Sequence, residues 1–129
     1  MDQIRILVAD EHLTVREGTC TILRREPDCQ VVAQAASGAE ALTLAETSPP
    51  DVIVIDSALG MPQDGVVLKR LRQLAPQAAV LVLVTYDDQC YLDAIMQAGA
   101  DACLLRNARC HELVGMVRQV ARQKSLAPV

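Results

Sequence analysis

PPDVIVID, residues 49–56, decides how the rest of the chain is read. Pro49 and Pro50 stop a helix arriving from the N-terminal side. Val52–Ile55 are four consecutive β-branched residues, and Asp56 ends the run in a carboxylate. Apolar character that is continuous rather than alternating belongs to a strand covered on both faces, as in a parallel sheet between helical layers. IRILVA (4–9) and VLVLVT (80–85) repeat the pattern, and Gln30–Ala36 and Ala102–Arg106 add two weaker runs.

Amphipathic stretches fill the gaps between these runs. Val15, Thr19, Ile22 and Leu23 form one stripe within Leu13–Glu26. Ser37–Gly38 opens a second helix with Ala39, Leu42 and Ala45 facing inward, and Val66, Leu68 and Leu71 line a third that Pro76 closes. Leu92, Ile95 and Met96 line a fourth, with Gly99 at a left-handed C-cap. Leu113, Met116, Val117, Val120 and Ala121 mark the last. The order is (βα)5, which predicts an α/β fold: a doubly wound five-stranded parallel sheet in a three-layer α/β/α sandwich. The tail after Gln123 reads as the start of a linker.

Composition narrows the function. The 129 residues suit one domain and bury roughly two thirds of their unfolded surface without staples. A net charge of −4 and only two aromatic residues, Tyr86 and Tyr91, argue against nucleic-acid binding by this segment. Cys20, Cys29, Cys90, Cys103 and Cys110 are scattered without a CxxC pair, so they read as buried hydrophobes or free thiols in a reducing, cytoplasmic setting. No signal peptide or membrane span is evident. Arg24–Arg25 and Arg118–Arg122 read as solvated helix faces.

In a sheet of this kind ligands bind beyond the carboxyl ends of the strands. Those ends carry Asp10 and Glu11, Asp56, Thr85 and Arg106. Three carboxylates at one edge raise one another's pKa unless a cation joins them. Hard oxygen ligands in a half-open site favour Mg2+, completed by waters and a phosphoryl group.

These residues resemble the receiver domain of two-component response regulators, a flavodoxin-like or CheY-like fold, and in particular the NarL/FixJ subfamily with its LuxR-type helix-turn-helix. ILVADEHLTVREG (6–18) resembles the family's first strand, acidic pair and first helix. VVAQAASGAEAL (31–42), PPDVIVID, LVLVTYDD (81–88) and AIMQAGADACLLRNA (94–108) resemble its later segments in the same order. The resemblance implies that Asp56 accepts a phosphoryl group from a sensor histidine kinase, with Thr85 and Arg106 contacting that group. It implies Mg2+ held by Asp10, Glu11, Asp56 and the backbone carbonyl of Ala58. It further implies a readout on the surface formed by the fourth helix, fifth strand and fifth helix. The output is transcription regulation, by homodimerisation or release of an effector; the chain itself is a signalling domain rather than an enzyme. Residues 1–123 are then the receiver, and 124–129 lead towards a C-terminal helix-turn-helix domain.

Four positions depart from the family pattern. Arg106 replaces a lysine, and its planar guanidinium is able to clamp unphosphorylated Asp56. The loop SALGMPQDG (57–65) is one residue longer than usual. Cys103 stands where an aromatic residue is common, and Glu11 replaces an aspartate. Arg106, Cys103 and the longer loop support an alternative, a degenerate receiver acting as a phosphorylation-independent dimerisation or docking module, while Asp10, Glu11, Asp56 and Thr85 oppose it. Enzymatic readings are weaker. An aspartyl phosphatase needs a second aspartate where Ala58 stands, and a flavin or dinucleotide site needs a glycine- or hydroxyl-rich loop in place of Asp10–Leu13.

Overall fold

The computed structural model describes residues 3–126 of the chain. Its elements follow in the order β1 (Ile4–Ala9), α1 (Leu13–Arg24), β2 (Cys29–Ala35), α2 (Gly38–Thr47) and β3 (Val52–Asp56). A short helical turn α3 (Ser57–Gly60) leads into α4 (Pro62–Leu74), β4 (Ala79–Val84), α5 (Gln89–Gln97), β5 (Ala102–Leu105) and α6 (Cys110–Leu126). All strand pairs are parallel, in the order β2-β1-β3-β4-β5. The chain leaves β1 to one side and returns on the other, so the switch point lies between the carboxyl ends of β1 and β3. The expected (βα)5 architecture is what forms. Among the described residues, no helix is long and apolar enough to cross a membrane.

Strand alternation divides the core into two layers. Leu7, Ile53, Ile55, Val80 and Val82 point to one face, where Ala41 and Ala45 of α2, Leu68 and Leu71 of α4 and Ile95 of α5 cover them. Ile6, Val8, Val52, Val54 and Leu81 point to the other, under Cys20 and Leu23 of α1 and Val117 and Val120 of α6. This two-sided covering explains the continuous apolar runs: each alternate residue needs its own helix.

Some expected helix contacts are corrected. Ala39 and Val66 are exposed. At about 100° per residue, a step of two lands on nearly the opposite side of a helix, away from the Ala41–Ala45 and Leu68–Leu71 faces. Val15 and Met96 are exposed at the margins of their stripes, and Cys20 takes the buried place beside Leu23. β2 and β4 each begin and end one residue earlier than read, and β5 stops at Leu105. Thr85 and Arg106 therefore sit just past their strands, with the Arg106 N–H still donating to the Val84 carbonyl at 2.8 Å. Helix α6 continues through Lys124 and Ser125 to Leu126, three residues into the stretch read as linker. The rest of that stretch, 127–129, lies outside the described residues.

Arg118 is likewise more than a solvated face. Its guanidinium donates to both carboxylate oxygens of Asp28, at 2.8 and 2.9 Å, and to Glu26 at 2.8 Å. This ties α6 to the α1–β2 loop, and the hydrogen bond from Arg118 holds the Asp28 carboxyl below its ordinary value. A lowered carboxylate pKa gives stability that is present above the unfolded value, about 3.9, and lost as pH falls through the folded one. Asp28→Asn is therefore expected to melt lower than wild type at pH 7, with the gap closing by pH 3. Because the pair is solvent-screened, the gap should be small. Thermal melts by circular dichroism at the two pH values check this, and a gap that widens in acid would contradict the pairing.

Candidate functional site

The switch point places Asp10 and Asp56 side by side, one residue past β1 and at the last residue of β3. Both are buried, at 3% and 2% exposure. Their oxygens are fully engaged. The Ala58 N–H donates to Asp56 Oδ2 at 3.1 Å, so Asp56 caps the helical turn α3. Arg106 Nη1 donates to Asp56 Oδ1 at 2.6 Å. The other arm of the same guanidinium, Nη2, reaches Asp10 Oδ2 at 3.4 Å. The His12 N–H donates to Asp10 Oδ1 at 2.9 Å. His12 is thus a loop and N-cap residue of α1, as its position suggests.

Burial raises the Asp56 pKa above that of an ordinary aspartate, and the charge of Asp10 adds to the effect. Arg106, the Ala58 N–H and His12 oppose it without reversing it. Desolvation outweighs the ion pair because a single monovalent cation serves two carboxylates.

An open cleft of about 940 Å³ rises over Asp56, lined by Thr85, Tyr86, Cys90, Tyr91 and Arg106 among others. Thr85 is exposed on it, as is Tyr86 at 70%, while Tyr91 is half-buried against the core. Asp88 caps α5 by accepting from the Tyr91 N–H at 3.1 Å, the helix-opening role read for Asp87–Asp88. Cys103 is half-buried in β5, where burial raises its thiol pKa. All five cysteines are free, and burial pushes the Cys29 thiol up to about 11.

The expected Mg2+ shell does not assemble in this conformation. Glu11 is exposed, and among the described residues no three His, Cys, Asp or Glu side chains group as metal ligands. Ala58 meets Asp56 through its N–H. Carbonyls in a helical turn run towards its C-terminal end, and Asp56 sits at the N-terminal end. As folded, then, the residues present do not fit the ion. In the loop after Asp56, Gln63, Asp64 and Gly65 follow one another in left-handed conformation at φ 55°, 60° and 83°. Gly65 is required there, since a Cβ would lie 2.6 Å from Ala98 Cβ.

Sequence reasoning missed Arg16. Its Nη1 donates to the Asp10 carbonyl at 2.9 Å and its Nε to Gln34 Oε1 at 3.1 Å, fixing the β1–α1 corner. The available signal was position: Arg16 stands four residues before Cys20 and seven before Leu23, a cation on the inward stripe.

A family model described as the response regulator receiver domain matches residues 6–118. The oxygen regulatory protein NreC of Staphylococcus haemolyticus is 34% identical over 118 residues, 91% of this chain and 54% of that protein. The transcriptional regulatory protein DegU of Brevibacillus brevis is 37% identical over 123 residues, 94% of this chain and 51% of that protein. The chain thus spans about half the length of these curated relatives. Among solved structures, the signal receiver domain of the putative response regulator NarL from Mycobacterium tuberculosis superposes with a TM-score of 0.87 at 30% identity. It covers 95% of this chain and 98% of that one.

Proposed function

The chain belongs to the response regulator receiver family, and from that premise we propose that Asp56 accepts a phosphoryl group from a sensor histidine kinase and thereby switches a transcription effector. One observation carries the reading. Asp56 stands at the carboxyl end of the central strand β3, on the floor of an open cleft it shares with Thr85 and Arg106. In the transfer an Asp56 carboxylate oxygen forms the new O–P bond as the P–N bond to the donor histidine breaks, and the electron pair stays on the imidazole nitrogen. Thr85 donates its hydroxyl to a phosphoryl oxygen, and Arg106 offsets the added charge. The gained negative charge then shifts the loop after β4, and the change is read out on the surface of α5, β5 and α6.

Receiver domains generally bind Mg2+ at the phosphorylation site. For this chain no step is assigned to the ion, because its carboxylates are otherwise engaged. Response regulators of this family interact with sensor kinases and often carry a C-terminal DNA-binding domain. We assign this chain the same partners: a sensor histidine kinase, a second copy of itself, and a helix-turn-helix effector following the receiver. The setting is cytoplasmic, and the domain assists only its own phosphorylation and dephosphorylation. That Asp10, Asp56 and Thr85 all stand at the same sheet edge weighs against a phosphorylation-independent docking module.

Incubation with Mg2+ and a small acyl-phosphate donor, followed by intact-mass measurement, tests the reading. The wild type is expected to gain one phosphoryl group and Asp56→Ala none. A folded wild type that stays unlabelled, or a variant that labels equally, would sink it.

A further inference from the structure

Two buried carboxylates on adjacent strands need a counter-charge, and this chain supplies one from its own β5. All four carboxylate oxygens of Asp10 and Asp56 already have a donor: Ala58 N–H and Arg106 Nη1 on Asp56, His12 N–H and Arg106 Nη2 on Asp10. No buried side-chain oxygen or nitrogen is left without a partner among the described residues. Each of the four oxygens thus carries one donor already, and the only charged one is the guanidinium of Arg106. The fork geometry of a guanidinium makes the arrangement possible, since its two arms diverge and reach different strands' carboxylates at once. An ammonium also carries several donors, but on one nitrogen and without that planar, diverging fork.

We propose that Arg106 is the resident counter-cation of the Asp10–Asp56 pair, and that a divalent ion enters this pocket only by expelling the guanidinium. This rests on the reading of Asp56 as the phosphoacceptor and adds what controls its access to metal. The competition is one of charge and space, because the guanidinium already lies against both of the carboxylates that would have to hold the ion. Arg106 therefore sets the divalent-ion requirement of the domain: metal affinity is low while both arms are engaged, and rises when either is removed. Being a quarter exposed on the cleft side, the Arg106 side chain has room to swing out without opening the core.

The test is calorimetric titration of Mn2+ alone into the full chain, for wild type, Arg106→Lys and Arg106→Gln. Affinity is expected to rise in that order, with Arg106→Gln binding roughly tenfold or more tightly than wild type, as removal of a competing cation from a buried anionic pair requires. Asp10→Asn placed in the Arg106→Gln background should cancel the gain, which assigns it to the pair. If Arg106→Gln does not fold, Arg106→Lys, which keeps the charge and loses the fork, carries the comparison with wild type. Equal Mn2+ affinity in wild type and the folded variants would overturn the proposal. Acyl-phosphate labelling of the same proteins, read by intact mass, separates this failure from that of the underlying function. A labelled wild type with unchanged affinities would remove only the role given to Arg106. Unlabelled wild type and Arg106→Lys at saturating metal would instead remove Asp56 as acceptor.

Discussion

Asp56→Asn is expected to abolish acyl-phosphate labelling and, at pH 8, to melt at a higher temperature than the wild type. Loss of labelling follows from the chemistry, since an amide oxygen does not attack the phosphorus of an acyl phosphate to displace its carboxylate leaving group. The gain in stability follows from burial. The Asp56 carboxyl has its pKa raised in the folded chain, chiefly by desolvation. A raised pKa means stability that is full below the unfolded value, about 3.9, and lost as pH rises through the folded value. The ionised group is thus a cost to the fold at working pH. Breaking a buried ion pair normally costs about 3–5 kcal/mol, because the surviving partner is stranded. That penalty is reduced here: Arg106 keeps Asp10, and the asparagine oxygen can still accept from Nη1, at the cost of the acceptor that Asp56 Oδ2 gives the Ala58 N–H. Desolvation relief should prevail, and each kcal/mol gained moves the melting temperature of a chain this size by roughly 3–6 °C. Thermal melts at pH 8 and pH 4 check it, the advantage shrinking in acid. A variant that melts below wild type at pH 8 would mean that the Arg106 pair outweighs burial.

The fold was legible because five apolar runs and their spacing leave few alternatives. β1 and β3 form over the residues read from sequence, since each is a nearly continuous apolar run, broken only by Arg5 in β1 and ended by a carboxylate. Helix faces were less legible. Small and β-branched residues at Ala39 and Val66 match a stripe by composition while pointing outward, and only the phase set by Ala41 and Leu68 decides between them. The candidate site divides the same way. Placement of Asp10, Asp56, Thr85 and Arg106 at one sheet edge follows from strand ends, which chain order dictates. The state of their oxygens does not. Whether Arg106 serves one carboxylate or two depends on a few tenths of an ångström between neighbouring strands, and whether Ala58 offers its carbonyl or its N–H depends on the loop after Asp56 coiling into a helical turn. Arg118 escaped for another reason: its acidic partners, Glu26 and Asp28, lie about ninety residues away in sequence.

The largest stability loss is expected from Leu68→Ala, and its pairing with Gly60→Ala reports on the loop that carries the acceptor. Leu68 is fully buried in the layer formed by α2, α4 and α5. Truncation of such a leucine costs about 2–5 kcal/mol, the spread reflecting how far the cavity collapses. What makes the site informative is its neighbour. Gly60 ends the helical turn that begins beside Asp56, and a Cβ there would lie 2.9 Å from Leu68 Cδ2 and 3.0 Å from Cγ. Gly60→Ala alone therefore overpacks the site and forces the Leu68 side chain to shift, at about 1–3 kcal/mol. In the Leu68→Ala background the same methyl enters the vacated space. The double variant should accordingly lose less than the sum of the two singles, by about 1 kcal/mol or more, the range found for residues in direct contact. Urea denaturation of the four proteins closes the cycle. Strict additivity would mean that α3 is not packed on α4 as described, and that the turn following Asp56 moves independently of the core. Coupling, by contrast, gives the acceptor loop a mechanical link to the helix behind it, the link through which a charge placed on Asp56 would reach α4.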